Sequence, residues 1–425
     1  MFKHYYKVLE SLQDTVTCHV KGETFIGQEC FVSSVSLGSA AESAIRGEVT
    51  EIEGARVTVK LLQPGSIKRG ARVLFTEKRF FFPLNEEHLV GRVINCYGEK
   101  LYGDDYLRDD LDYQELPVGA EAIPLYQRQG ITEVFPTKLK IIDALFTMGV
   151  GQRVGLFAPA GAGKTTTVSI MANNMDADVV IFAMIGERAR EVVEFLEGEI
   201  GPEVIQKSIT IVSTSEANPL EKVRSGLVAV SVARHFMEQG KKVVLYFDSL
   251  TRFARAQAML DGTPIQGGIP IGVSLALSKL VESCGNSVAG SVTGVFTVPI
   301  EKEIDEDPIA HEVKSLIDGH LVYSTTIAST GRYPAIDVLK SKSRLQNKVQ
   351  KKEYVALSEK VKDMVYRYQN VELLIRVGEY ERGNDVETDL AIDKHEEINR
   401  FLSQGFDGVE YEETITELES IWSAY

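Results

Sequence analysis

From residue 44 to residue 62 the chain reads AIRGEVTEIEGARVTVKLL, with apolar and polar side chains alternating on both sides of Glu53-Gly54. A two-residue period marks a half-buried strand and Glu-Gly marks a turn, so this stretch predicts a β-hairpin. The run KRGARVLFTEKRFFFPL, residues 68–84, predicts one more strand, stopped by Pro83. Short strands this closely spaced, with glycine turns, predict a small β-barrel or sandwich over residues 1–85.

From about residue 89 the pattern changes. GQRVGLFA (151–158), ADVVIFAMIG (177–186), SITIVST (208–214), KKVVLYFDSL (241–250) and GSVTGVFTV (290–298) are nearly continuous apolar runs of strand length. Such runs suit strands buried on both faces of a parallel sheet. Intervening segments such as LEKVRSGLVAVSVARHFMEQG (220–240) carry apolar residues at helical spacing and end in glycine. The combination predicts an α/β nucleotide-binding core. After about residue 346 no strand-like run remains. EYVALSEKVKDMVYRYQNVELLIRVG (353–378) and AIDKHEEINRFLSQG (391–405) predict helices, each closed by glycine. The expected division is a β-barrel over residues 1–88, an α/β core over 89–345 and a helical domain over 346–425.

Composition adds bounds. The 425 residues are enough for two or three domains, and 44% hydrophobic with 25% charged content is ordinary for a globular protein. No apolar run approaches the roughly 18 uncharged residues of a membrane span. The opening MFKHYYKVLESLQD has no signal-peptide core, so a cytoplasmic location is expected. Cys18, Cys30, Cys96 and Cys284 fit neither a disulfide framework nor a zinc spacing. A net charge of −15 argues against nucleic-acid or anionic-membrane binding. Residues 346–425 hold 10 Lys and Arg against 18 Asp and Glu. That acidity reads either as a solvated surface or as a docking face for a basic partner.

Candidate chemistry centres on residues 158–166, APAGAGKTT, between a strand and a helix. A loop that points backbone N–H groups at phosphate oxygens must carry small side chains, here Pro159, Ala160, Gly161, Ala162 and Gly163. The helix beyond it offers its positive end to the anion. Lys164 can reach β- and γ-phosphates, Thr165 can ligate Mg²⁺, and Thr166 completes the motif. Ala158 stands where such loops usually open with glycine, which is tolerable at negative φ. Asp248 ends an apolar strand and can hold the shell of that Mg²⁺. Glu187, in MIGERAREVVEF, ends another and can orient and polarise an attacking water. In GRYPAIDVLKSKSRLQ (331–346), Tyr333 can stack on an adenine. Arg344 reads either as a surface residue or as a finger supplied to a neighbouring subunit's nucleotide.

Together, GQRVGLFAPAGAGKTT, GERAREV, FDSLTRFARA, DPIAHEVKSLIDGHLVYS and YPAIDVLKSKSR resemble the hexameric ATPases related to the catalytic subunit of rotary ATP synthases. LLIRVGEYERGNDVETDLAIDKHEEINRFLSQ (373–404) resembles one branch, the ATPases of type III protein secretion in injectisomes and flagella. The rotary subunits have a different, strongly acidic loop at GEYERGNDVETD. The resemblance covers residues 85–425 strongly and 1–85 by its β-rich pattern. It implies a RecA-like ATPase core with a parallel sheet, an N-terminal β-barrel serving oligomerisation and a C-terminal helical domain.

The resemblance also implies roles. Lys164, Glu187, Arg188 and Arg344 are catalytic, with Arg344 the arginine finger. Thr165 and Asp248 serve the metal, with Glu191 in its outer shell, and Tyr333 stacks on adenine. Phe406 is either a second wall of the adenine pocket or a core residue. The implied cofactors are ATP/ADP and Mg²⁺. The implied assembly is a homohexamer with a coiled-coil stalk protein in its pore, a peripheral regulator at the N-terminal end, and export chaperones with their secreted substrates. It would work in the cytoplasm, peripheral to a membrane export gate. Three departures stand out: Gly268 and Ile269 replace the family's Arg and Tyr in a pore-side loop, Lys138 replaces a glycine, and residues 95–101 read NCYGEKL. The competing readings are a nucleotide-binding subunit of a rotary proton or sodium ATPase, an RNA-translocating hexamer, and a scaffold that binds nucleotide without hydrolysis.

Overall fold

The structure, a computed structural model of the chain, describes residues 5–12, 14–33, 44–62, 67, 70–102, 112–265, 267–301 and 303–422. Residues 1–4, 13 and 68–69, which fall in segments singled out above, lie outside the described residues.

Six strands close a barrel in the order β1-β2-β5-β4-β3-β6. They are β1 (Tyr5–Leu12), β2 (Thr15–His19), β3 (Gln28–Ser33), β4 (Ile45–Glu53), β5 (Arg56–Leu61) and β6 (Arg72–Arg79). The predicted hairpin is β4–β5, paired Glu53↔Arg56 at its turn. Its inward residues Val49, Val57, Val59 and Leu61 are buried with Val16, Val32 and Val73 in the barrel core. Closure leaves no free strand edge. Two buried contacts tie the barrel to the next domain: Arg224 pairs with Glu48, and Asn218 Nδ2 donates to Leu62 O at 2.7 Å.

Pro83 does not stop a strand. It lies inside β7 (Phe81–Leu84), which among the described residues pairs only with β10 (Gln114–Pro117). A strand with a single partner has an unpaired side, where a missing N–H is tolerated. Between them, β8 (Arg92–Ile94) and β9 (Lys100–Tyr102) join the main sheet.

That sheet has ten strands in the order β18-β17-β11-β16-β14-β12-β13-β8-β9, with β15 paired to β16. The further members are β11 (Arg153–Ala158), β12 (Val179–Glu187), β13 (Ser208–Thr214), β14 (Lys242–Asp248), β15 (Gly285–Asn286), β16 (Ser291–Pro299), β17 (Gly319–Val322) and β18 (Lys342–Ser343). From β17 to β8 every neighbouring pair is parallel. All nine residues of β12 are buried, as its continuous apolar run predicts. The helix Pro219–Glu238 covers one face through Leu220, Val223, Val230 and Phe236.

Three helices, Lys352–Val377, Val386–Leu402 and Tyr411–Ser420, pack on the buried helix Lys140–Leu145. Ser358 Oγ bonds Ala144 O, and Lys140 Nζ bonds both carboxylate oxygens of Glu417 at 3.0 Å. The last of the three helices was not among the sequence expectations. Gly378 closes the first, whereas Ser403, extended, closes the second, so Gly405 is no helix cap. All four cysteines are buried and free. Among the described residues no helix is long and apolar enough to cross a membrane.

Candidate active site

The phosphate loop grows out of β11. Ala158 is that strand's last residue and is extended, so the absent glycine costs nothing there. The chain turns through Pro159–Gly163 and enters the helix Lys164–Asn174. Gly163 caps that helix at φ +83°, in the left-handed region, and a Cβ there would stand 3.2 Å from the Tyr333 ring. Glycine is thus required twice over, by conformation and by the close approach of Tyr333. Ala160, Gly161 and Thr165 are exposed and Ala162 is buried. The first turn of an eleven-residue helix leaves its N–H groups free of helical partners and carries a positive partial charge. Small exposed loop residues leave room for an anion at that end.

Four neighbouring strands, β11, β16, β14 and β12, deliver the rest. Asp248 ends β14, and Lys164 Nζ meets its two oxygens at 2.9 and 2.8 Å. Asp248 is not on the strand next to the loop, because β16 runs between. That strand contributes Thr297, whose hydroxyl donates to Asp248 Oδ1 at 2.5 Å. Glu187 ends β12 beyond Asp248. A β-bulge between Ile185 and Glu187 turns the strand end, and Gly186 there sits at φ +74°. A Cβ on Gly186 would meet Arg252 Cδ at 3.1 Å. That gap admits the Arg252 side chain, whose guanidinium pairs with the Glu187 carboxylate.

The two carboxyls are driven apart. Burial would push Asp248 up, but the Lys164 charge and the bonds from Lys164 and Thr297 outweigh it and hold the group below the usual carboxylate range. Glu187 is pushed up to about 7 by burial and by the Asp248 charge, against the pull of Arg252. Glu191 shares a hydrogen bond with Glu187 that favours its protonated form. A carboxylate held below its ordinary range beside one poised near neutrality is an arrangement able to hold a cation with the first and handle a proton with the second.

The remaining predicted residues divide. Tyr333, 43% exposed, lies over the loop. Arg188 is largely exposed and lies 3.9 Å from Glu191. Phe406, 78% exposed, is not a core residue. Arg344 is far from its own phosphate loop. Its N–H donates to Asp318 O, and Asp318 N donates to Arg153 O at the opposite end of β11 from Ala158. Five residue steps of strand separate those ends, roughly 16 Å. The Arg344 guanidinium donates to Lys314 O at 3.3 Å. A groove of about 820 Å³ lies between residues 326–332 and the first two C-terminal helices, and Tyr333, Lys164, Glu187 and Asp248 do not line it.

Sequence reasoning missed Arg252 and Thr297. Arg252 follows Asp248 by one helical turn in a stretch that also offers Arg255, and spacing alone does not choose between them. Thr297 had no signal short of the strand order.

A phosphate loop at a helix N-terminus, with carboxylates on parallel strand ends, defines a nucleotide-binding ATPase core. Residues 138–343 match the ATP synthase alpha/beta family, nucleotide-binding domain, and residues 350–420 match the C-terminal domain of the type III secretion ATPase EscN. The type 3 secretion system ATPase of Pseudomonas syringae pv. syringae is 39% identical over 412 residues, 93% of this chain and 91% of that protein. The flagellum-specific ATP synthase of Treponema pallidum is 35% identical over 93% of both. The assembled ATPase EscN of enteropathogenic E. coli superposes with a TM-score of 0.88 at 32% identity, covering 98% of this chain and 99% of that one. EscN in complex with its central stalk EscO gives 0.87. The chain belongs to the family of type III secretion and flagellar export ATPases.

Proposed function

We propose that this chain hydrolyses ATP to ADP and phosphate as a Mg²⁺-dependent homohexamer, and that it uses the reaction to release and unfold substrates for type III export. The observation that carries the reading is the opposed pair of Asp248, held ionised by Lys164, and Glu187, poised near pH 7. The C-terminal match favours export over the rotary alternative.

In this mechanism the loop N–H groups and the helix end bind the phosphates, and Lys164 neutralises the β- and γ-oxygens. Lys164 reaches them by sharing or leaving Asp248. The donor set fits a magnesium ion, which favours oxygen ligands, water and phosphate over an all-protein cage. The exposed Thr165 hydroxyl would hold it directly, with Asp248 and Glu191 through water. Bound there, the ion would neutralise charge on the phosphates. Glu187 orients the attacking water and accepts its proton, and Arg252 fixes the carboxylate. Arg188 lies beside them at the rim. Arg344, remote from its own loop, acts on the nucleotide of the adjacent subunit. Tyr333 and Phe406 form the walls for the adenine base.

EscN was solved with a central stalk, EscO. For this chain we infer a coiled-coil stalk, a regulator at the barrel end, and export chaperones with their cargo, met in the cytoplasm at a membrane export gate. Ahead of the helix Ile271–Glu282 the divergent stretch lacks the family's Arg and Tyr, and Ile271 is 88% exposed there. The test is a phosphate-release assay on purified protein, paired with mass measurement of the oligomer. A homohexamer that turns over MgATP supports the reading. Activity only on addition of a second, homologous non-catalytic subunit would replace it with the rotary one.

A further inference from the structure

We propose that Gln404 is the positioning residue that sets the base end of the nucleotide site and anchors it to the C-terminal helices. The inference rests on the reading of Tyr333 and Phe406 as the adenine walls.

Gln404 lies two residues beyond the helix Val386–Leu402. Four hydrogen bonds converge on it. Its backbone N–H donates to Tyr333 O at 2.8 Å. Its Oε1 accepts from Lys140 N at 2.8 Å. Its Nε2 donates to Lys138 O and to Asp407 O, each at 2.7 Å. Both amide protons and one acceptor site are therefore used. The bond to Asp407 closes a short turn with Phe406 inside it. The bond to Tyr333 fixes the backbone of the other wall. The bonds to Lys138 and Lys140 clamp both to the entry of the buried helix Lys140–Leu145.

The residue type follows from the geometry. Two carbonyls need two donors and one N–H needs an acceptor, all from one side chain. Glutamate has the shape and the acceptor but places a carboxylate oxygen against two carbonyls. Methionine has the reach and none of the polar groups. No bond from Gln404 goes to the phosphate loop, Glu187, Asp248 or Arg252. Its loss therefore acts on the base and not on the phosphates.

The experiment is steady-state hydrolysis by the full-length protein carrying Gln404→Glu, Gln404→Met or Tyr333→Ala, with inorganic tripolyphosphate as a competitor that has no base. Losing one or two net hydrogen bonds raises KM for ATP about tenfold in both Gln404 variants. The kcat and the inhibition constant of tripolyphosphate stay within a factor of about two, since those report the phosphate end. Melting curves identify folded variants, and Gln404→Glu decides alone if Gln404→Met does not accumulate. An unchanged KM in folded Gln404 variants, with KM raised in Tyr333→Ala, overturns the role of Gln404 and leaves the base pocket standing. A parallel loss of kcat and of tripolyphosphate binding assigns Gln404 to general stability and also overturns it. If Tyr333→Ala changes neither constant, the base-pocket reading falls and takes this one with it.

Discussion

Arg252, in the first turn of the helix Leu250–Leu260, is ion-paired with Glu187 at the end of β12, the strand beside the β14 that leads into that helix. A cation at a helix N-terminus opposes the helix dipole, so the position is stabilised by its partner and not by the helix.

The first prediction follows from that pair. Glu187 must be ionised to accept a proton, so activity climbs through about pH 7 on its acid limb. Arg252→Ala removes a charge that holds the group down, and the limb moves to higher pH. Glu187→Gln keeps ATP binding and abolishes hydrolysis. Stability has the opposite sign. The folded carboxyl titrates near 7 against an ordinary 4.5, so folding is favoured below about pH 4.5 and loses that contribution as pH rises through 7. Glu187→Gln should melt higher than the parent at pH 8, and the gap should vanish below pH 4.5. Calorimetry across that range checks the sign, and a gap independent of pH would refute it.

Lys164 and Asp248 form the second test. Lys164→Ala should remove all but a trace of turnover in a phosphate-release assay. It also leaves a half-buried carboxylate without its cation, so the melting temperature falls. Thr297→Val deletes one donor to Asp248 while keeping shape, at a cost of roughly 1 kcal/mol in stability. Turnover in this variant should need several-fold more Mg²⁺, read from a titration at fixed ATP. Unaltered Mg²⁺ demand would reduce Thr297 to packing.

Arg344 stands at the far end of the sheet from its own loop. Arg344→Ala should lose roughly 10³-fold in activity. Mixed with inactive Lys164→Ala protein it should regain some, because one interface then joins an intact loop to an intact Arg344. Mixed rings verified by mass but devoid of activity would exclude action across the interface.

The acidic segment Gly378–Asp393, which joins the first two C-terminal helices and opens the second, splits its charges. Asp385 caps the following helix by accepting from Glu387 N, and both Asp385 and Glu387 pair with Arg367. Glu379 and Glu381 are exposed. A basic coiled-coil protein should stimulate hydrolysis less at high salt. The double change Glu379→Gln with Glu381→Gln should blunt that stimulation and spare basal turnover. Asp385→Ala should instead lower the melting temperature.

Lys138 holds φ +62°, where a side chain costs roughly 1–2 kcal/mol. Its ammonium pairs with Glu410 on the surface, worth about 0.5 kcal/mol. Lys138→Gly should therefore stabilise the protein slightly in thermal melts. A clear loss would show that the ion pair, and not the backbone, dominates.

The β-hairpin, the buried strands and Lys164, Glu187 and Asp248 are legible in the sequence because each follows from local periodicity or from a motif on a strand end. Thr297 is not, since its meaning arises only when β16 slots between β11 and β14, an order no local pattern encodes. The four-residue β17 is too short to declare itself. Gln404 finds its partners 264 to 266 residues upstream at Lys140 and Lys138, and 71 upstream at Tyr333. Gly405 looked like a helix stop because glycine often is one. The chain turns there through the bonds of Gln404 instead.

The four strand ends that carry this chemistry also act as a measuring scale. Across the sheet, positions are set by hydrogen-bonded spacing of about 4.8 Å. Along each strand they move only in steps of about 3.3 Å, and one step flips the side chain to the other face. A residue inserted in β12, β14 or β16 would therefore not nudge Glu187, Asp248 or Thr297 but expel it from the site. The row therefore accepts exchange of one side chain for another, and rejects any change in the length of its strands.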